Sequence, residues 1–233
     1  AGRIAKGYPR SPHGSPNFAA GITNPLGKPK ENGRARAPSL LICIGSSTGG
    51  IEVLERILPE FPADFPPVVI VQHISAEFAP GLARRLGAVC AGQVAAGQDG
   101  MKIRNGQVVL AAGNKTHLRL KRRRGVFCSL EEEPPVMGHR PSIDVLFTSA
   151  ASTGLPIIAA LLTGMGSDGV EGMLRIRSCA GRTIAQDAAS SKVFGMPRRA
   201  IERGAAEFVL PADEIGPKIV ALARIIEAKA ATP

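Results

Sequence analysis

The chain has 233 residues, of which 44% are apolar and 4% aromatic with no Trp, and it carries a formal net charge of +10. The apolar fraction is typical of a globular protein, and no apolar stretch approaches the length of a membrane span or forms a signal peptide. The scarcity of aromatic residues argues against the stacking platforms of single-strand nucleic-acid binders, so we expect neither nucleic acid nor membrane insertion.

Residues 1–39 differ in composition from the rest of the chain. They are rich in Pro, Gly, Asn and Ser, lack apolar periodicity, and contain seven Lys or Arg against one Glu, which gives +6 of the net charge. This composition predicts a flexible basic linker or tail, which would attract acidic surfaces without specificity. Residues 40–233 are then expected to form one folded domain with a well-buried core.

The first predicted element is the buried strand that opens the stretch Leu40–Gly50, where an apolar run breaks into glycines and hydroxyls before a helical pattern. The segment Gly45–Gly49 matches G-x-S-x-G, the nucleophile elbow, in the strand, turn and helix context that this motif requires. Ser47 occupies its centre, and the first free amides of the following helix could stabilise an oxyanion.

The same loop has simpler interpretations. Hydroxyl residues at a strand-helix junction are often helix caps, and a glycine-rich turn there can cradle a phosphate. Residues 45–50 contain neither G-x-G-x-x-G nor Gly-Lys-Ser/Thr, which argues against a dinucleotide fingerprint or a P-loop at this turn.

Two further buried strands end in polar residues. Pro67–Val71 is followed by Gln72, His73 and a helical stretch over Glu77–Val89, and Pro156–Leu162 leads to Asp168 ahead of another helix. Loops at the carboxyl ends of parallel strands converge on one crevice, so Ser47, His73 and Asp168 are predicted to meet. A structural histidine, and a capping box of Asp168 with Glu171, are the alternatives.

The middle of the chain, about Gly97–Leu130, contains short strands and glycine turns and predicts an antiparallel excursion from the main sheet. Strands are predicted at Thr116–Leu120 and Val126–Leu130, with the basic run Lys121–Arg124 as a solvated hairpin turn. The predicted fold class is thus α/β, a three-layer doubly wound domain with a mainly parallel sheet and a small antiparallel hairpin.

A second His, Ser and Asp lie within the six residues His139–Asp144, too close together to form a triad. Ser142 is predicted to cap the helix that begins at Ile143, and Arg140 to line the cleft. The four cysteines are scattered with no C-x-x-C pair, which predicts buried free thiols of a cytosolic protein and no metal site.

A serine, a histidine and an acidic residue form one chemical device. The imidazole takes the proton of the hydroxyl, and the carboxylate behind it sets the tautomer and stabilises the imidazolium. The chain order Ser, His, Asp differs from that of α/β-hydrolases, so the elbow alone does not indicate that fold.

Five motifs in order resemble the catalytic domain of the chemotaxis protein-glutamate methylesterase family, CheB, from about Leu40 to the last helix. They are Ile44–Gly50, Gln72-His73, His139–Asp144, Leu162–Gly169 and Val193–Pro197.

The resemblance implies that Ser47 is the nucleophile, His73 the general base and Asp168 the residue that orients it. Ser46 stands where the family often has alanine. The resemblance further implies hydrolysis of methyl-esterified glutamates on the cytoplasmic helical bundle of chemoreceptors, deamidation of receptor glutamines, a cytoplasmic location and no cofactor. The backbone amides near Thr48 and Met165 are our candidates for the oxyanion hole.

The family usually has a phosphorylatable receiver domain before the esterase domain, for which residues 1–39 are too short. Because the chain begins with Ala, we expect a fragment of a longer protein, with a naturally short esterase as the alternative. Two other functions remain open: an esterase of this family outside chemotaxis, and a non-catalytic module that binds phosphate or nucleotide at Gly45–Gly50.

Overall fold

The computed structural model describes residues 38–113 and 115–231. The linker predicted for residues 1–39 therefore lies outside the described residues, apart from its last two positions. The ten strands are β1 Leu41–Ser46, β2 Val68–Gln72, β3 Gln93–Ala96, β4 Lys102–Ile103, β5 Gln107–Ala111, β6 His117–Arg122, β7 Val126–Glu131, β8 Ile157–Leu161, β9 Arg182–Gln186 and β10 Phe208–Leu210. The helices are α1 Gly50–Ile57, α2 Ala79–Val89, α3 Ile143–Ala151, α4 Val170–Ser178, α5 Met196–Glu202 and α6 Ala212–Ala231, with a 3₁₀ turn at Leu58–Glu60.

A seven-stranded parallel sheet in the order β10-β9-β8-β1-β2-β5-β3 forms the middle layer. Helices cover both faces, so the central strands are apolar on both sides. In β1, Ile42 and Ile44 contact the core beneath α1, α2 and α6. Leu41 and Cys43 point to the opposite core, beneath α3, α4 and α5. The predicted three-layer fold is confirmed.

The order of the strands determines where a crevice opens at the edge of the sheet. From β1 the chain moves to β2 on one side, and later returns to β8 on the other side of β1. The crossovers diverge at this switch point, which opens a crevice at the carboxyl ends of the strands. The loops after β1, β2 and β8 all reach this crevice.

The antiparallel excursion is smaller than predicted. Strands β4, β6 and β7 do form a separate antiparallel sheet. The prediction was wrong for β5, which lies within the same segment but pairs in parallel with β2 and β3. Its buried run Val108–Leu110 needs cover on both faces, which the main sheet supplies. The basic run is also only partly a turn, because Lys121 and Arg122 are the last residues of β6.

All four cysteines are free thiols. Cys43, Cys90 and Cys128 are buried as predicted, and burial raises the pKa of Cys43 and Cys128 to about 12. The prediction was wrong for Cys179, which is exposed where α4 ends. Over residues 38–113 and 115–231, no helix combines the length and apolar character needed to cross a membrane.

Helices α3 and α4 approach closely at Gly172. A Cβ added there would lie 2.4 Å from Cβ of Phe147 and 3.2 Å from the carbonyl oxygen of Asp144. Gly172→Ala is expected to lower the free energy of unfolding by about 1–3 kcal/mol, because a backbone contact cannot move aside. Gly87→Ala in α2, whose added Cβ would meet Val94 at 3.9 Å, is the matched control. It should gain up to about 1 kcal/mol from helix propensity. Urea unfolding measures both, and equal stabilities would contradict the close approach.

Candidate active site

Ser47 is the first residue after β1, and the predicted strand, turn and helix around it are confirmed. The turn returns through Gly49 with φ 81°, a left-handed conformation that favours glycine. The amide of Ser47 donates to the carbonyl of Thr163 at 3.1 Å. Its side chain packs so closely on Gly164 that a Cβ there would lie 2.6 Å from Cβ of Ser47. The serine is thus held between two glycine-containing loops.

His73 is the first residue after the neighbouring strand β2. The β1–β2 ladder pairs Ser46 with Gln72 and ends with a bond of 3.0 Å from the amide of His73 to the carbonyl of Ser46. Ser47 and His73 therefore follow adjacent strands at the same edge of the sheet. Nε2 of His73 lies 2.9 Å from Oδ2 of Asp168. Nδ1 is buried and has no hydrogen-bond partner within the described residues.

His139 stacks on the ring of His73, with centroids 3.8 Å apart and planes inclined by 5°. Burial lowers the pKa of His139, and the proximity of His73 lowers it further. The His139 ring therefore covers one face of the His73 imidazole, and its lowered pKa disfavours a second positive charge there. From the sequence we predict only a helix cap at Ser142 and a cleft contact at Arg140 in this segment, and no role for His139.

The carboxylate of Asp168 is buried and accepts four hydrogen bonds. Oδ1 accepts from the Ser142 hydroxyl at 2.7 Å and the Asp144 amide at 3.0 Å. Oδ2 accepts from the Ile143 amide at 2.8 Å as well as from His73. Burial alone would raise the pKa of Asp168, but these hydrogen bonds outweigh it and hold the pKa below its ordinary value. Asp168 is thus an ionised partner for the imidazole.

Helices α3 and α4 exchange caps at this point. Asp168 precedes α4 yet binds the first amides of α3, while Asp144 of α3 accepts from the Gly172 amide of α4 at 2.8 Å. The alternative of a capping box with Glu171 was wrong. The residue before α4 is Gly169 with no side-chain cap, and Glu171 pairs with Arg203 at 2.8 Å.

Ser142 caps α3 as predicted, since its hydroxyl accepts from the Val145 amide at 3.3 Å. The same hydroxyl donates to Asp168, a second role that its position before a helix does not indicate. Arg140 donates to the carbonyl of Glu133 at 3.0 Å, and its role as a substrate contact stays a prediction.

Thr163 was missed by the sequence analysis and joins three loops. Its buried hydroxyl donates to the carbonyl of Thr48 at 2.9 Å and accepts from the Val193 amide at 2.9 Å. Since its own carbonyl accepts from the Ser47 amide, Thr163 fixes the loop that carries Ser47 against the loop after β8. The only sequence signal was a hydroxyl residue at the end of an apolar run.

The oxyanion-hole candidates can be tested against the backbone hydrogen bonds. The Ser47 amide is already bonded to Thr163, which excludes it as a donor to substrate. Within the described residues, the amides of Thr48 and Met165 donate no hydrogen bond. The Thr48 amide directly follows Ser47 in the chain, and the Met165 amide follows Gly164, which packs against the Ser47 side chain. Two unused donors beside one serine are what an oxyanion requires.

A cleft of about 490 Å³ lies next to the Met165 loop, and its walls include Met165, Phe194, Arg198 and Arg199. Met165 is 74% exposed, and Met137, across a neighbouring cleft, is 60% exposed. In the part of the chain that the structure describes, no cluster of three or more His, Cys, Asp or Glu could hold a metal ion.

Comparison with known proteins agrees with this geometry. The model of the CheB methylesterase family matches residues 42–219. The protein-glutamate methylesterase/protein-glutamine glutaminase of Agrobacterium fabrum is 40% identical over 218 residues, covering 93% of this chain and 62% of its own length. Its counterpart in Bordetella parapertussis is 46% identical over 182 residues, covering 77% and 52%.

The crystal structure of the Thermotoga maritima CheB methylesterase catalytic domain superposes with a TM-score of 0.76 and 38% identity, over 80% of this chain and all of that one. The chain thus spans about half to two thirds of the curated relatives but the whole of a catalytic domain.

The exchange of caps predicts a pH dependence of stability. Burial raises the pKa of Asp144 to about 6, from 3.8, and the charge of Asp168 adds to the effect. The stability that Asp144 contributes is therefore complete below about pH 3.8 and is lost as the pH rises through about 6. Asp144→Asn keeps a carbonyl acceptor for the Gly172 amide but carries no charge. It should be more stable than the parent at pH 8, by roughly 2–3 kcal/mol, with no such advantage near pH 4.

Urea unfolding between pH 4 and 8 measures this difference. Asp213→Asn, at an exposed carboxylate on α6, is the control for loss of one negative charge. The lowered pKa of Asp168 acts only below about pH 3.8 and is common to all three proteins. A stability difference that does not vary with pH would contradict the role assigned to Asp144.

Proposed function

The chain belongs to the CheB methylesterase family, and we propose that residues 40–233 are a serine esterase domain that removes methyl esters from glutamate side chains of chemoreceptors. The observation that carries the proposal is the state of His73. One ring nitrogen is bonded to an ionised buried carboxylate, and the other is buried with no partner among the described residues, just beyond the strand next to the one that Ser47 follows. An imidazole in this position is a base in need of a proton donor.

The contacts of His73 support different roles for its two ring nitrogens. Because Asp168 is ionised, the neutral imidazole carries its proton on Nε2, toward the carboxylate. Nδ1 then has the free lone pair and takes the proton of Ser47 as its oxygen attacks the ester carbonyl. The nitrogens exchange the roles that they have in chymotrypsin-type triads.

The remaining steps follow the proton that His73 takes from Ser47. The amides of Thr48 and Met165 bind the oxyanion of the tetrahedral intermediate, and His73 returns its proton to the departing methoxide as methanol. Water attacks the acyl-enzyme, with His73 again as base, and releases the glutamate carboxyl. Attack on a glutamine side chain would release ammonia in place of methanol, which is the basis for proposing deamidation as well.

The surroundings support a protein substrate. The exposed Met137 and Met165 lie near Arg198 and Arg199. The two arginines share the carboxylate of Glu202, which leaves a net positive charge, so this surface fits an acidic helical bundle better than a small ester. The phosphate-binding alternative is less well supported, because the Ser47 and Gly50 amides are bonded within the protein. Chemoreceptors in the cytoplasm, and a receiver domain in the full-length protein, remain part of the proposal.

The first test separates the two adjacent serines. Ser47→Ala should reduce methanol release from methylated receptor by roughly three orders of magnitude or more, because no other group can form the acyl-enzyme. Ser46→Ala should retain activity within about tenfold, since the Ser46 hydroxyl is directed to Gln72 and not to solvent. Labelling by a serine-directed phosphonate gives a second readout. Parent-like activity of Ser47→Ala would refute the mechanism.

The second test uses non-additivity. If Ser47, His73 and Asp168 act as one unit, Ser47→Ala/Asp168→Asn should be scarcely less active than Ser47→Ala, since a carboxylate that orients the base has nothing left to assist. A further multiplicative loss would indicate that Asp168 serves only the fold. Thermal melting of the same variants identifies that case, because Asp168 also caps α3.

A further inference from the structure

We propose that Gln72 is a positioning residue, whose side-chain amide fixes the backbone of the nucleophile against the backbone of the base. The inference rests on the proposed esterase function, and it adds a residue to which neither the sequence motifs nor the comparisons assign a role.

The contacts of Gln72 are unusual for a residue at a strand end. It is the last residue of β2 and is 2% exposed. Nε2 donates to the carbonyl of Ser47 at 3.0 Å and to the carbonyl of His73 at 3.1 Å. Oε1 accepts from the Ser46 hydroxyl at 2.5 Å. One planar amide therefore bonds Ser46, Ser47 and His73, on both sides of the gap between the two strands.

These bonds lie where the sheet stops holding the chain. The β1–β2 ladder ends at the bond from the His73 amide to the Ser46 carbonyl. Beyond it the two chains part, toward α1 on one side and the loop before α2 on the other. The two protons of one NH₂ group span this gap, so the carbonyls of Ser47 and His73 keep a fixed separation.

The orientation of the amide is determined by its partners. Two carbonyl oxygens require the NH₂ end, and the reversed amide would place an oxygen against both. The Ser46 hydroxyl supplies the proton that Oε1 needs. Gly50 leaves room for this arrangement, since a Cβ there would lie 2.5 Å from Cβ of Ser46 and 3.0 Å from Oε1 of Gln72. The cluster is therefore fully bonded and has no second arrangement.

A positioning role and a merely structural role predict different kinetics. Displacement of Ser47 from His73 lowers the rate of the chemical step and leaves substrate binding unchanged. A structural role lowers the amount of folded protein and, where protein remains folded, leaves kcat unaltered.

The test is Gln72→Met, which keeps most of the volume and removes all three hydrogen bonds. We expect kcat for methanol release to fall roughly 10- to 100-fold with KM unchanged within about twofold. The rate of Ser47 labelling by a serine-directed phosphonate should fall in parallel. Val108→Ala, at a buried position of β5 that pairs with Val68 at the other end of β2 from Gln72, is the control for lost stability and should keep kcat within about twofold.

The double variant Ser46→Ala/Gln72→Met separates stability from positioning. Gln72→Met leaves the buried Ser46 hydroxyl without its acceptor, and Ser46→Ala removes that unpaired group. The double variant should therefore melt at a higher temperature than Gln72→Met while its kcat remains low. Recovery of kcat together with stability would overturn the proposal, as would an equal loss of kcat in Val108→Ala.

The result also distinguishes this inference from the proposed function. If the parent protein neither releases methanol nor reacts with the phosphonate, the esterase proposal fails. If the parent reacts and Gln72→Met reacts at the same rate, only the role of Gln72 fails.

Discussion

The buried carboxylate of Asp168 is the interaction on which the rest of the site depends. An ionised carboxyl group away from water is strongly unfavourable unless donors replace the lost hydration. The first amides of α3 have no partner within their own helix and supply two of those donors. The positive N-terminal end of the α3 dipole further favours the negative charge of Asp168. One carboxylate thus caps a helix and orients an imidazole, so the fold and the proposed chemistry share the same atoms.

The parallel sheet supplies the remaining precision. Ser47, His73 and Asp168 follow three adjacent strands, and the ladder fixes where each loop begins. Backbone ladders end with the strands, however, and the reacting atoms lie beyond them. Thr163 and Gln72 continue the cross-links over that last distance with side-chain hydrogen bonds, Thr163 between the loops after β1 and β8, and Gln72 between those after β1 and β2. The buried polar side chains at these strand ends thus hold the loops together as the backbone ladder holds the strands.

The sequence supported prediction of the strands that carry Ser47, His73 and Asp168, because local apolar runs and glycine turns specify those elements. It did not indicate the stacking of His139 on His73, nor the exchange of caps by Asp144 and Asp168. These pairs are 66 and 24 residues apart, and nothing in the local pattern names the partner of a polar residue. The error over β5 has the same origin, since a short apolar run does not reveal which sheet it joins. The local sequence pattern predicted the strands and helices, whereas the contacts between them depend on residues that are distant in the sequence.

The two buried carboxylates also divide one electrostatic task. Asp168 accepts hydrogen bonds from four donors, whereas Asp144 accepts fewer hydrogen bonds and lies close to the negative charge of Asp168. Their pKa values move in opposite directions for this reason, one below its ordinary value and the other to about 6. As the pH falls into the mildly acidic range, the first proton bound by the pair goes to Asp144, and Asp168 keeps its charge. The first protonation therefore leaves the hydrogen bond between Asp168 and His73 in place. Asp168 keeps its charge because α3, the helix that carries Asp144, also donates two amides to it.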